Sequence, residues 1–119
     1  LVEEAYDILR HTIRNRTPED GRVEDAALCH GSMGIAHIYR RAHRATGDAG
    51  FGRAAEAWAR HGLALGTWTD GVAGFKHRIA TGVVSCTNLL QGASGIGLVL
   101  LGLLDPGDDP AWDRCMLLS

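Results

Sequence analysis

The sequence predicts an all-α protein made of helical hairpins, and three observations carry that prediction. Apolar residues recur at three- and four-residue spacing through most of the chain, which is the mark of amphipathic helices. No stretch alternates apolar and polar residues convincingly enough to compete as a strand. A short motif also repeats: Gly31-Ser32-Met33-Gly34-Ile35-Ala36 aligns in register with Gly92-Ala93-Ser94-Gly95-Ile96-Gly97, and Gly71-Val72-Ala73-Gly74-Phe75 is a weaker copy. Each copy falls where a helix or turn is expected to start, and repeats of this period suggest hairpins whose neighbours bury one another's faces. Two glycines three residues apart permit a tight turn into a helix and a close approach of another backbone. Glycine is abundant, 16 of 119 residues against an average near ~7%, so a chance match in a Gly- and Ala-rich chain is the competing explanation.

The elements follow in order. Leu1, Ala5, Leu9 and Ile13 recur every four residues, with Val2, Tyr6 and Ile8 widening the stripe and Glu3, Glu4, Arg10 and Arg14 facing water. Thr17-Pro18-Glu19-Asp20-Gly21 stops this first helix with strong breaker chemistry. A second helix is expected to start near Ser32, run through Ile35, Ile38, Tyr39 and Ala42, and end at Gly47-Asp48. Arg40, Arg41, His43 and Arg44 suit its negative pole and read as a solvated helix end. A third, Ala-rich helix spans about Phe51 to Leu65, with Ala54, Trp58, His61 and Leu65 near one face. Residues 66–90 hold four glycines and two short apolar stretches, and no periodicity assigns them. A last helix, Ala93 to Leu104, is apolar all round and is expected to be buried on most sides. Asp105-Pro106-Gly107-Asp108-Asp109-Pro110 ends it, and Ala111-Trp112-Asp113-Arg114 opens a short terminal turn or helix.

Composition narrows the classes of function. Twelve Lys+Arg against 14 Asp+Glu give a net charge of -2, with no basic stripe for phosphate backbones, which argues against a nucleic-acid partner. The longest apolar run, Ile96 to Leu104, is far shorter than the ~18–20 residues that span a bilayer, so no transmembrane segment is expected. Three widely spread cysteines, Cys29, Cys86 and Cys115, make a poor disulfide framework and suit a reducing cytoplasm. The chain opens on Leu1 and on helical periodicity, without the pattern of a secretory signal, and is expected to be the tail of a longer protein.

The adjacent pair Cys29-His30 carries the chemistry. Neighbouring side chains diverge in a strand or in mid-helix, but a turn entering a helix, followed at once by Gly31, can aim both the same way. Zinc takes Cys sulfur and His nitrogen readily, yet two ligands are not a site, and paired C-x-x-C patterns are absent. Spacing alone therefore favours a free buried cysteine and a satisfied histidine.

Leu28-Cys29-His30-Gly31-Ser32-Met33-Gly34-Ile35-Ala36 resembles the CHG segment of the lanthionine synthetase C-like family. Gly71-Val72-Ala73-Gly74-Phe75 and Leu89-Leu90-Gln91-Gly92-Ala93-Ser94-Gly95-Ile96-Gly97-Leu98 resemble its later segments in the same order, and Trp112-Asp113-Arg114-Cys115-Met116-Leu117-Leu118 is similar to the close of bacterial members. The resemblance implies an α/α toroid of two concentric helix layers, of which residues 1–119 are the C-terminal part, the rest of the domain lying upstream. It implies a Zn2+ held by two Cys and one His, and it places Cys29 and His30 among those metal ligands; Gly31, Gly34, Gly92 and Gly95 are the structural turn positions of the internal repeat. The third ligand and the acid–base residues belong to earlier segments of the family pattern. His11 and Asp7 sit in no matching motif.

The implied reaction is a zinc-dependent cyclisation, in which a peptide Cys thiol adds to dehydroalanine or dehydrobutyrine to close a thioether ring. Its partners would be a dehydrated precursor peptide and a dehydratase enzyme or domain, and residues 1–119 alone are expected to be inactive. The alternative is a non-catalytic or glutathione-binding toroid scaffold. Ordinary structural roles are expected elsewhere: His37, His43, His61 and His77 as packed or surface histidines without ligand spacing, Cys86 and Cys115 as core thiols, and Trp58, Trp68 and Trp112 as packing residues.

Overall fold

The computed structural model describes residues 1–20, 22–105, 107 and 111–116. Helix α1 spans Val2–Asn15, α2 Ser32–Thr46, α3 Ala49–Ala64 and α4 Ala93–Leu104, with short 3-10 helices at Pro18–Asp20 and Ala111–Met116. Among the described residues the protein is all-α apart from one small antiparallel hairpin, β1 (His77–Ile79) and β2 (Gly82–Val84), which pairs His77 with Val84 and Ile79 with Gly82. The hairpin falls in the stretch that periodicity leaves unassigned. Three-residue strands whose side chains are mostly exposed show no alternation to read. Among the described residues no helix is long and apolar enough to cross a membrane.

The α2–α3 hairpin is the centre of the fold. Gly47 ends α2 in the left-handed conformation, φ 71°, and returns its N–H to the His43 carbonyl, while the next residue, Asp48, caps α3 by accepting from Gly50 N–H at 2.8 Å. The N-cap at Asp48 is why α3 starts two residues before the apolar pattern begins. Met33, Ala36, Tyr39 and Ala42 of α2 meet Phe51, Ala54, Ala55, Trp58 and Ala59 of α3 in one buried cluster. Tyr39 stacks on Phe51 with ring centroids 6.2 Å apart. Truncating one such aromatic to Ala costs about 3–5 kcal/mol. Small residues set how closely the helices approach: a Cβ at Gly62 would stand 2.6 Å from Ser32 Oγ.

The outer elements bury less than their sequences suggest. α1 turns Tyr6, Leu9 and Ile13 to the core, whereas Leu1, Val2, Ala5 and Ile8 are exposed. Arg10 fixes α1 to the α2–α3 turn, reaching Asp48 at 3.0 Å and lying 5.5 Å from the Phe51 ring centre. α4 packs on α2 through Ile96 and Val99 and leaves Leu101 and Leu104 exposed at 61% and 82%, so it is not buried on most sides. The C-terminal 3-10 helix docks on α2 through Asp113, which is fully buried and meets His37 Nε2 at 2.8 Å and Arg41 Nε at 3.0 Å.

Candidate metal centre

The turn ahead of α2 is shaped by its own carbonyls. Asp25 O accepts Ser32 N–H at 2.9 Å and Ala27 O accepts Gly31 N–H at 3.0 Å, which folds residues 25–30 back beneath the first turn of the helix. Gly31 caps the helix with extended backbone, φ -106° and ψ -174°. A Cβ at Gly31 would collide with the Asp25 carbonyl and the Ala27 backbone, and one at Gly34 would overlap the Leu28 carbonyl. The loop and the helix share the same space only because neither position has a side chain. Cys29 and His30, at the tip, are left exposed while Ala26, Ala27 and Leu28 are buried.

The tip aims both side chains at one point. Cys29 Sγ and His30 Nδ1 stand 2.8 Å apart, and His30 Nε2 lies 3.6 Å from Asp25 Oδ2. Asp25 is buried at 7% exposure; its Oδ1 accepts Ala27 N–H and its Oδ2 accepts Arg78 N–H, both at 2.7 Å. His77 Nδ1 approaches the same Oδ2 at 3.3 Å, and its ring meets that of His30 edge-on with centroids 5.2 Å apart. Candidate ligand atoms of Asp25, His30 and His77 all lie within 4.8 Å of one another. His77 is therefore a buried member of this cluster rather than an unrelated packed histidine. Its signal is absent from local spacing because the hairpin 77–84 brings it to Asp25 from far along the chain.

The electrostatics argue for a ligand rather than a free nucleophile. Desolvation pushes the Cys29 thiol above its ordinary pKa, outweighing a backbone hydrogen bond that lowers it, and the Asp25 charge adds a smaller push upward. Reactive cysteines have the reverse setting, with cations or helix N-termini lowering the pKa. A divalent cation is what would make this sulfur a thiolate. The donors fit zinc: a soft sulfur and an imidazole nitrogen already converge, and a carboxylate lies behind the other ring nitrogen, as metal-bound histidines commonly require.

A second turn repeats the first without its chemistry. Gly92 has φ -109° and ψ -174°, Cys86 O accepts Ala93 N–H at 3.0 Å and Asn88 O accepts Gly92 N–H at 3.1 Å. A Cβ at Gly92 would stand 2.5 Å from Cys86 O, and one at Gly95 would overlap the Leu89 carbonyl and lie 3.0 Å from Leu28 Cβ. The two turns touch, since Cys29 N–H donates to Leu90 O at 2.9 Å. The third sequence copy does not share this form: Val72 bridges Phe75 across a turn with Ala73 and Gly74 at φ 51° and 87°.

The remaining candidates are dispersed. His37 is buried against Asp113 and Trp112; His43 Nδ1 meets Asp48 O at 2.9 Å and His61 Nε2 meets Val23 O at 2.8 Å. Arg40 is buried and Arg41 is half-buried on Asp113, so these two do not form a solvated helix end. Arg41 meets the C-terminal 3-10 helix, and the Arg40 guanidinium lies against Gly102 of α4. Cys115 is exposed and Cys86 half-buried, so neither is a core thiol. Trp58 is core, Trp112 packs on His37, and Trp68 is 42% exposed beneath Lys76. His11 and Asp7 lie on the exposed face of α1 and are not among the converging ligand atoms of Asp25, His30 and His77.

No curated protein and no solved structure matches the chain. A family profile described as lanthionine synthetase C-like protein matches residues 1–117. The chain belongs to that family.

Proposed function

We propose that this family member is part of a zinc-dependent cyclase that closes thioether rings in a dehydrated precursor peptide, with Cys29 and His30 as two of the metal ligands. The single observation that carries the reading is the convergence of Cys29 Sγ and His30 Nδ1 to 2.8 Å at the exposed tip of a turn whose backbone is otherwise buried. Zinc, when bound, supplies a Lewis acid that favours the thiolate form of a substrate cysteine near neutral pH. The chain's own residues then have separable tasks. Gly31 and Gly34 let the loop pass beneath α2, and Cys29 and His30 present their donors to solvent, where a peptide can reach them. In the ring closure, substrate sulfur forms a bond to the β-carbon of dehydroalanine or dehydrobutyrine, the C=C electron pair moves to the α-carbon, and a proton added there completes the thioether.

On this proposal the second Cys ligand and the proton donor come from segments N-terminal to Leu1, and residues 1–119 form one arc of an α/α toroid. A groove of about 820 Å³ bounded by α2, α3 and α4, lined by Leu63, Leu100, Leu103 and Leu104 together with Arg40, Glu56 and Arg60, supports further helices packing there. A cytoplasmic setting, with a dehydratase supplying the substrate, completes the proposal and suits three free cysteines.

The test is Cys29→Ala and His30→Ala in the full-length protein, assayed for metal content and for ring closure on a dehydrated, cysteine-containing peptide. Loss of zinc and persistence of alkylatable peptide thiols, with an unchanged helical circular dichroism spectrum, are expected. Full zinc content with normal ring closure in either variant would falsify the assignment.

A further inference from the structure

Asp25 does more than close its own loop. Its Oδ1 and Oδ2 hold Ala27 N–H and Arg78 N–H, yet two imidazoles also converge on Oδ2, His77 Nδ1 at 3.3 Å and His30 Nε2 at 3.6 Å. The His77 approach is misaligned for a hydrogen bond, which leaves its buried Nδ1 without one. We propose that Asp25 is a positioning residue for the metal centre, acting through His30: its carboxylate accepts a hydrogen bond from Nε2–H and so presents Nδ1, with its lone pair, beside Cys29 Sγ. The proposal rests on the reading of Cys29 and His30 as ligands.

Two distances support it jointly. Sγ and Nδ1 at 2.8 Å are closer than two donors on one tetrahedral zinc, which stand about 3.6 Å apart. Nε2 and Oδ2 at 3.6 Å are farther apart than a hydrogen bond, ordinarily about 2.9 Å. Nδ1 and Nε2 lie on different edges of the imidazole, so one displacement of the ring toward Asp25, of about 0.7 Å, opens the first distance and closes the second. His77 braces the arrangement: its ring is 5% exposed and meets His30 edge-on, and the next residue, Arg78, ties β1 to the same carboxylate. The competing arrangement, a cation held directly by Asp25, His30 and His77, would use Nε2 for the metal and leave Cys29 Sγ outside the site.

The deciding experiment is 15N NMR of histidine-labelled, zinc-loaded full-length protein, with His30 assigned by comparison with His30→Gln. A protonated Nε2 and a metal-shifted Nδ1 are expected; metal at Nε2 overturns the proposal, and no metal on either nitrogen overturns the ligand reading as well. Asp25→Asn is expected to weaken zinc about 10–100-fold in competition with a chromophoric chelator. It should keep one ion per chain, its helical spectrum, and the thiolate-to-metal absorption band of the Co2+-substituted form. Wild-type affinity in folded Asp25→Asn, while Cys29→Ala loses zinc, overturns the positioning role alone. Loss of the bound ion in both Asp25→Asn and His77→Phe, with Cys29→Ala retaining it, overturns it in favour of direct ligation. Should Asp25→Asn fail to fold, the spectrum of the unsubstituted protein decides by itself.

Discussion

The turns before α2 and α4 have nearly the same backbone and opposite purposes. At the positions where the first carries Asp25, Cys29 and His30, the second carries Cys86, Leu90 and Gln91. Both close with the same pair of carbonyl-to-amide bonds and both exclude a side chain at two glycines. They differ in what ties them down. The second is held locally, by Asn88 Oδ1 accepting Gln91 N–H at 2.8 Å and Ser94 Oγ donating to Thr87 O. The first sends a carboxylate across to β1. The shape of the turn therefore comes from the glycines and carbonyls, and its chemistry from the tip residues and one buried acid beneath them.

That division predicts a steep asymmetry in metal binding. Cys29→Ala in the full-length protein should weaken zinc by about 1000-fold or more, whereas Leu90→Ala should stay within about threefold of the parent, read by chelator competition. Comparable losses from both would break the distinction between the turns. For stability the expectation is symmetry. Gly34→Ala and Gly95→Ala each drive a Cβ into a loop carbonyl and should each cost about 3 kcal/mol by denaturant midpoint. A gap of more than about 1 kcal/mol between them would show that the turns are not mechanically equivalent. Gly62→Ala sharpens the comparison, because its Cβ would press on Ser32 Oγ and Met33 Cε, at the start of α2 only. About 1–2 kcal/mol should be lost, with faster amide exchange at residues 32–35 and none of that change at 93–96.

The smallest effect concerns pH. α4 has no ionisable side chain, while α2 carries His37, whose pKa is held below its ordinary value by burial, against the opposing hydrogen bond it donates to Asp113 and with Arg40 and Arg41 adding to the depression. The unfolded chain thus takes up this proton at higher pH than the folded one. The contribution is fully present above the unfolded value, about 6.5, and is lost as pH falls toward the folded value. The unfolding midpoint of the parent should drop on acidification below about pH 6.5 more than that of His37→Gln. Parallel curves would remove His37 from the account.

Much of the helical scaffold was legible because its signals are local. The bounds of α4 and the Gly47-Asp48 break between α2 and α3 follow from apolar spacing and capping residues alone. The glycine repeat marked both helix-start turns, since a position that tolerates no Cβ must be glycine wherever it recurs. Where the sequence misled, a distant partner was involved. Arg40 and Arg41 look like a solvated helix end until Gly102 of α4 packs on Arg40 and Asp113 docks on Arg41, and His77 has no ligand spacing until the hairpin carries it to Asp25. Asp25 itself carried no motif; of the two backbone donors to its carboxylate, Ala27 N–H lies in its own loop and Arg78 N–H in a strand 53 residues further on. Membership of the family followed from ordered motifs rather than from any one of them.

The hydrogen bond from Cys29 N–H to Leu90 O gives the ligand's own amide a second role, as a gauge of the seam between repeats. That proton can exchange with solvent only when the two loops part, so its protection reports the opening of the seam rather than the fraying of either helix. A change that displaces the backbone of 86–91 can therefore reach the sulfur, whereas trimming the Leu90 side chain leaves its carbonyl in place. Looseness there would blur the ligand geometry while every helix still stood.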